Sequence, residues 1–254
     1  MNAPRRPLVV GNWKMHKTIA EARALASALC ALEMPGDVDV AIAPPFTALD
    51  AVAQTISGST IALAAQTVHE SAHGAFTGEI APPMLVELGV RYVILGHSER
   101  RQYYNETDDG VGRKVRAALH NDITPIVAVG ETADQHTRGE TLDHVLFQVM
   151  AAFAGLPASD VAKCVVAYEP IWAIGTGLSD TPDNADRVLG EIRRAVDGLA
   201  DVPLLYGGSM KPDNAAALLE QPNIDGGLVG SASLSADSFW RIVAAAATRG
   251  KVQS

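Results

Sequence analysis

Short runs of β-branched and other apolar residues alternate along the chain with longer Ala- and Leu-rich stretches in which apolar positions recur at helical spacing. The short runs fall at residues 8–10, 38–43, 60–64, 92–95, 124–129, 163–168, 204–206 and 227–229. Such β-branched runs, set between helical stretches, predict parallel strands joined by crossover helices. The longer stretches, 19–32, 46–56, 82–88, 110–120, 141–153, 184–199, 214–219 and 238–246, predict the crossover helices. Asp183, just before Asn184, and the step from Glu140 to Thr141 mark cap regions for two of them.

Eight strand–helix units in a chain of this length match the expected size of a closed (β/α)8 barrel, an α/β fold of about 250 residues. The competing architecture is an open doubly wound sheet, and the first strand lacks the GxGxxG that a dinucleotide fold places after it. No Pro-, Gly- or Ser-rich linker and no charge block divides the sequence, so a single barrel domain spanning residues 1–254 is expected. The longest connection, residues 66–81, carries Gly74, Phe76, Thr77 and Gly78, and a loop of that length in a compact barrel usually has a function.

Composition narrows the picture. With 48% hydrophobic and 19% charged residues the chain can bury a large core. A net charge of −9 and the absence of a Lys/Arg run argue against a nucleic-acid partner. Cys30 and Cys164 form neither a disulfide framework nor a CxxC pair, which fits a reducing, cytoplasmic compartment. The apolar stretch near the start is too short for a signal-peptide core or a membrane span, so no membrane association is expected.

In a parallel barrel the reactive groups gather at the C-terminal ends of the strands. Here those ends carry Asn12 and Lys14, then His97 and Glu99, then Glu169, then Gly207-Gly208-Ser209, then Gly230-Ser231. Pro170 forces Glu169 into extended geometry, and the apolar Ile171, Trp172, Ala173 and Ile174 that follow suit a loop that closes over something. Exclusion of water would raise the basicity of Glu169 towards that of a general base. His97 precedes a predicted helix N-terminus, whose dipole disfavours the imidazolium and leaves a neutral ring able to donate to a carbonyl oxygen. Lys14 would neutralise substrate charge and a developing oxyanion. Most glycines only make tight turns, but two Gly/Ser turns on neighbouring strands favour a phosphate held at helix starts, with Ser209, Gly230 and Ser231 first in line. A base, a neutral electrophile, a cation and a phosphate grip together specify proton transfer next to a carbonyl through an enediolate, which is aldose–ketose isomerisation. No metal or cofactor is expected: the other histidines, His16, His69, His73, His120, His136 and His144, show no ligand spacing and read as ordinary polar positions.

The motifs at residues 11–15, 74–79, 92–101, 167–177 and 206–209 closely resemble the triosephosphate isomerase family, in the same order and over roughly residues 8–234. The family is itself the established example of a glutamate base, a neutral histidine and a closing loop, so those roles arrive with the resemblance rather than from spacing. The resemblance implies interconversion of dihydroxyacetone phosphate and D-glyceraldehyde 3-phosphate, with Glu169 as base, His97 as electrophile, and Asn12 and Lys14 as ligands of the substrate. It also implies support from Glu99 and a phosphate grip by Gly175, Ser209, Gly230 and Ser231. The implied assembly is a homodimer in which the 66–81 loop enters the neighbour and Thr77 buttresses Asn12 and His97.

Four positions depart from the family pattern. Ser231 replaces a usual glycine, Ala128 a common cysteine, Thr67 a usual asparagine and Leu178 a frequent lysine. Thr67 is too short to reproduce the amide's hydrogen bonds, so an effect on loop anchoring is expected. Leu178 bears on lid kinetics. Two other functions fit part of the pattern: an isomerase of a four-carbon ketose phosphate, and a non-catalytic phosphate-binding barrel. The latter gives no reason to keep Asn12, Lys14, His97 and Glu169 together.

Overall fold

The computed structural model describes residues 5–174 and 180–248. Its eight strands are β1 (Leu8–Asn12), β2 (Asp39–Ala43), β3 (Ile61–Ala65), β4 (Val90–Leu95), β5 (Thr124–Val129), β6 (Val165–Tyr168), β7 (Leu204–Tyr206) and β8 (Gly226–Val229). They pair in sequence order, all parallel, and β8 returns to β1 with Leu8 opposite Gly226 and Val10 opposite Leu228. The closed barrel follows from the composition of the strands. A near-continuous apolar run needs cover on both faces, and a ring of parallel strands inside a ring of helices supplies it.

Two cores result. Leu8, Val10, Ala41, Ala43, Ala64, Tyr92, Ile94, Ile126, Val165, Ala167, Leu205 and Leu228 fill the barrel interior. The intervening residues, such as Val9, Val93, Leu95, Val166 and Tyr168, face outward and pack with the helices in a second, larger core. The strict alternation of the pleat decides which residue at each strand end points into the barrel mouth.

All eight predicted strands are present, with shifted ends. β1 runs on to Asn12, β4 begins at Val90, and β6 begins at Val165 because the Cys164 N–H turns back to the Val161 carbonyl. The helix expected to start after His97 spans Ser98–Tyr104, and two others were not anticipated: Ala133–Thr137 and Ala158–Val161. Each is seven residues or fewer, too short for periodicity to show. The helix expected at 184–199 spans Pro182–Ala195, and its cap is Thr181, whose hydroxyl accepts from the Asn184 N–H, rather than Asp183. Proline at its first position supplies the helical φ. Residues 66–81 form the predicted long connection, between β3 and the helix Pro82–Glu87. Among the described residues no helix is long and apolar enough to cross a membrane.

Candidate active site

Pleat alternation places the mouth residues. Glu169 follows Val165 and Ala167 on the interior face of β6, Asn12 follows Leu8 and Val10 on β1, and Gly230 follows Leu228 on β8. His97 obeys no such rule, since Val93 and Leu95 on its face point outward. The intervening Gly96 has φ +74°, and a Cβ there would lie 2.7–3.0 Å from Arg101, Ala128 and Val111. Only glycine accepts that turn, and the turn swings His97 back over the mouth. Glu169 also depends on a close approach, because a Cβ on Gly130 would lie 1.8 Å from the Glu169 carbonyl oxygen.

These residues border a cavity of about 280 Å³ that brings together Asn12, Lys14, His97, Glu169, Ser209, Gly230 and Ser231. Seven of the residues singled out from sequence thus meet at one mouth. Glu99 stands just behind it, paired with Lys14, and Thr77 lies exposed on the 66–81 loop away from the cavity. Gly175 and Leu178 lie outside the described residues. The turns differ from expectation in one respect. After β8 a 3-10 turn, Ser231–Leu234, begins at the predicted place, but after β7 the next helix begins only at Ala215, so Ser209 opens an irregular loop. Its hydroxyl donates to the Ala173 carbonyl at 3.3 Å.

Glu169 and His97 are only 2% and 5% exposed, and their side chains meet, Nε2 to Oε1, at 2.9 Å. The second Glu169 oxygen accepts from the Ser98 N–H at 2.9 Å. His97 caps the helix Ser98–Tyr104, and its Nδ1 accepts from the Glu99 N–H at 3.2 Å. A ring nitrogen that accepts carries no proton, so the imidazole is neutral with its hydrogen on Nε2, donated to the carboxylate. Burial lowers the proton affinity of His97, but the charge and hydrogen bond of Glu169 outweigh it and hold the ring above its ordinary value. Burial likewise pushes Glu169 up, and the bonds from His97 and the Ser98 N–H more than reverse it, so the carboxyl sits below its ordinary value. The expected rise in basicity belongs to a site closed to water; in the described arrangement the partners of Glu169 stabilise its charged form.

Lys14 occupies the left-handed region at φ 49°, a conformation that costs a non-glycine residue about 1–2 kcal/mol. Three bonds hold it: its N–H donates to Asn12 Oδ1 at 3.0 Å, its carbonyl accepts from Gln66 Nε2 at 2.8 Å, and its Nζ pairs with Glu99 Oε1 at 2.6 Å. Gln66 also donates to the Ala43 carbonyl at 2.9 Å, tying together the ends of three strands. Sequence reasoning passed over Gln66; its place directly after β3 was the available signal. The neighbouring Thr67 hydroxyl takes a bond from Lys114 Nζ at 3.4 Å.

Glu131, at the end of β5, was also missed as a hub. Fully buried, its Oε1 accepts from Trp172 Nε1 at 2.8 Å, Tyr168 Oη at 3.1 Å and Thr141 Oγ1 at 3.3 Å, and lies 3.4 Å from His136 Nδ1. Burial and then the Glu131 charge push the Tyr168 hydroxyl's pKa up. Asp180 is raised by burial first, against bonds from the Asn184 side chain and the Thr181 N–H. Nor are all the remaining histidines ordinary polar positions: His136 stacks on Trp172, and His69 packs on Phe76 with its Nδ1 accepting from the Ser71 N–H. No group of three or more potential metal ligands occurs among the described residues.

The family model for triosephosphate isomerase matches residues 7–246. The chain is 52% identical to the triosephosphate isomerase of Roseiflexus sp. (strain RS-1) over 248 residues, covering 94% of this chain and 97% of that protein. It is 50% identical to that of Chloroflexus aurantiacus over 246 residues, covering 94% and 98%, and 48% identical to that of Caldanaerobacter subterraneus over 245 residues, covering 94% and 99%. Barrel, mouth and matched length agree: the chain belongs to the triosephosphate isomerase family.

Proposed function

We propose that this chain, as one barrel domain over residues 1–254, interconverts dihydroxyacetone phosphate and D-glyceraldehyde 3-phosphate by base-catalysed proton transfer through an enediolate, the isomerisation used in glycolysis and gluconeogenesis. The observation that carries the reading is the buried contact between Glu169 and the Nε2–H of His97 at the cavity wall. A substrate carbonyl entering there accepts the Nε2–H in place of the carboxylate. Loss of that bond removes the larger of the interactions holding Glu169 down, leaving the Ser98 N–H, and burial then raises its basicity at the moment a base is needed. Glu169 takes a proton from the carbon next to the carbonyl, the C–H pair becomes the C=C bond, and the carbonyl pair moves onto oxygen as an enediolate. His97, with Lys14 and Asn12, stabilises that oxygen; His97 gives it the Nε2 proton and takes the proton of the adjacent hydroxyl, whose oxygen becomes the new carbonyl as Glu169 returns its own proton to the neighbouring carbon. Ser209, Gly230 and Ser231 hold the phosphate with Gly175, and Glu99 orients the Lys14 ammonium.

The working unit is a homodimer in the cytoplasm, with the 66–81 loop reaching into the neighbour and Thr77 buttressing its Asn12 and His97. Support comes from the exposure of Met15 and Phe76 near the mouth and on that loop. The test is isomerisation of three- and four-carbon ketose phosphates by the purified protein, with sedimentation at low concentration. Turnover of the triose, preferred over the tetrose, is expected. No turnover of the triose would sink the assignment, and a monomer fully active at all concentrations would sink the shared site.

A further inference from the structure

We propose that His136 is a positioning residue for this reaction: its imidazole clamps Trp172, and protonation tightens the clamp, so pH sets how firmly the turn following the base is held. Its kinetic consequence rests on the isomerase reading above, whereas the contact itself does not.

The clamp stands on a braced platform. Thr132 caps the short helix Ala133–Thr137, and the Gln135 side chain returns to the Thr132 N–H at 2.9 Å and meets His144 Nδ1 at 3.0 Å. From that helix the His136 ring lies on the Trp172 indole with centroids 4.3 Å apart and planes 23° from parallel. Trp172 is therefore held by its face and, through Nε1–H to Glu131, by its edge. The turn Ile171–Ala173 transmits this position in both directions. Ile171 N–H donates to the Glu131 carbonyl at 3.1 Å, Ile174 lines the cavity, and only Pro170 separates the turn from Glu169.

Charged and titratable groups face His136 from each element packed against it. Glu131 faces it from the end of β5, Tyr168 shares that carboxylate from β6, and Asp180 acts on it from the start of the segment leading to the helix Pro182–Ala195. Asp134 lies on its own helix, and His144 approaches through Gln135 from the helix Thr141–Phe153. With 41% of its side chain exposed, the imidazole can take a proton from solvent. The imidazolium would then gain an ion pair with Glu131 and a cation–π contact with the indole. Both contacts fix the Ile171–Ala173 turn in the position described. A shift of the Ile171–Ala173 turn as substrate enters must break them, so acid opposes entry.

The experiment begins without substrate. Tryptophan fluorescence followed from about pH 5 to 8, the range in which imidazoles change charge, is expected to titrate in the wild type and in His144→Gln but not in His136→Phe, which keeps a stacked ring with no proton. Across the same range kcat/KM of the wild type should fall roughly two- to fivefold more than that of His136→Phe, the worth of a half-exposed cation–π contact. His136→Arg, charged throughout, should behave at alkaline pH as the wild type does in acid. An unchanged fluorescence titration in His136→Phe would overturn the clamp. A lost titration with identical acid limbs in the two proteins would overturn its link to the reaction. Absence of triose turnover in the wild type would instead strike at the isomerase reading, with the fluorescence result still deciding the clamp.

Discussion

Two buried carboxylates, one at each end of the barrel, show what separates a working group from a holding one. Glu169 at the mouth and Asp225 at the opposite end are both almost fully excluded from solvent, and both accept from a backbone N–H, Ser98 in one case and Leu204 at 3.0 Å in the other. Asp225 is held by two guanidinium groups, Arg5 Nε at 3.0 Å and Arg193 Nη2 at 2.6 Å, and Arg5 Nη2 and Arg193 Nη1 also donate to the backbone carbonyls of Pro222 and Val202. Glu169 has a neutral imidazole through one bond, and a cavity beside it. Guanidinium groups remain charged at every working pH and bind in a fixed fork, so the lower arrangement is permanent. An imidazole can hand its hydrogen to another acceptor, so the upper one is exchangeable. The difference lies in the partners, since the carboxylates are otherwise alike.

The largest effect expected from breaking the comparison is at the mouth. Glu169→Gln keeps an acceptor for the Ser98 N–H but removes the proposed base, and turnover should fall by about 10²- to 10⁴-fold or more. Its unfolding midpoint in urea should move far less than that of the lower variant; near-wild-type turnover would remove Glu169 from the mechanism. At the other end, Asp225→Ala leaves two cations buried without their counter-ion and should cost about 3–5 kcal/mol of stability, with kcat per folded molecule unchanged. A smaller effect is expected from Gln66→Ala. It orphans the carbonyls of Lys14 and Ala43, destabilises by about 1–2 kcal/mol, and should raise KM because the strained Lys14 backbone loses its outer tie.

The smallest effect comes from pH, which should make the upper pair resemble the lower. His97 has a folded-state value above its unfolded one, so protonation favours the fold: the stabilisation is fully present below the unfolded value and is lost as pH rises through the folded one. A second proton on Nδ1 must displace the Glu99 N–H, and the imidazolium then locks Glu169 in place. Acid should therefore widen the stability gap between wild type and Glu169→Gln while kcat/KM falls, a limb that His136→Phe retains. A gap that narrows between pH 8 and about 6 would contradict the assigned pairing.

Much of this arrangement was legible before the fold was seen. The strands could be read because runs buried on both faces leave little ambiguity, and the extended geometry of Glu169 at a strand end followed from Pro170. His97 was harder. Its direction depends on the backbone of Gly96, and a φ angle is not written in the residue types around it. The Glu131 hub and the Gln66 tie were illegible for another reason. Their partners, such as Trp172 and Tyr168 for one and Lys14 and Ala43 for the other, come from distant segments that only barrel closure brings together. The net effect on Glu169 also escaped, because burial could be foreseen and the opposing bonds could not.

The pairing of β1 with β8 has one further consequence, for the order in which the molecule assembles. Arg5 and Asp225 are separated by 220 residues, so their contact and the adjoining strand pairing close a loop of nearly the whole chain and bear its entropy. Asn12 and Lys14 reach the cavity from β1, whereas Ser209, Gly230 and Ser231 follow β7 and β8. Until that last seam shuts, the two halves of the mouth do not face each other. During refolding, secondary structure should therefore return ahead of activity, and the first catalytic turnover serves as a clock for ring closure.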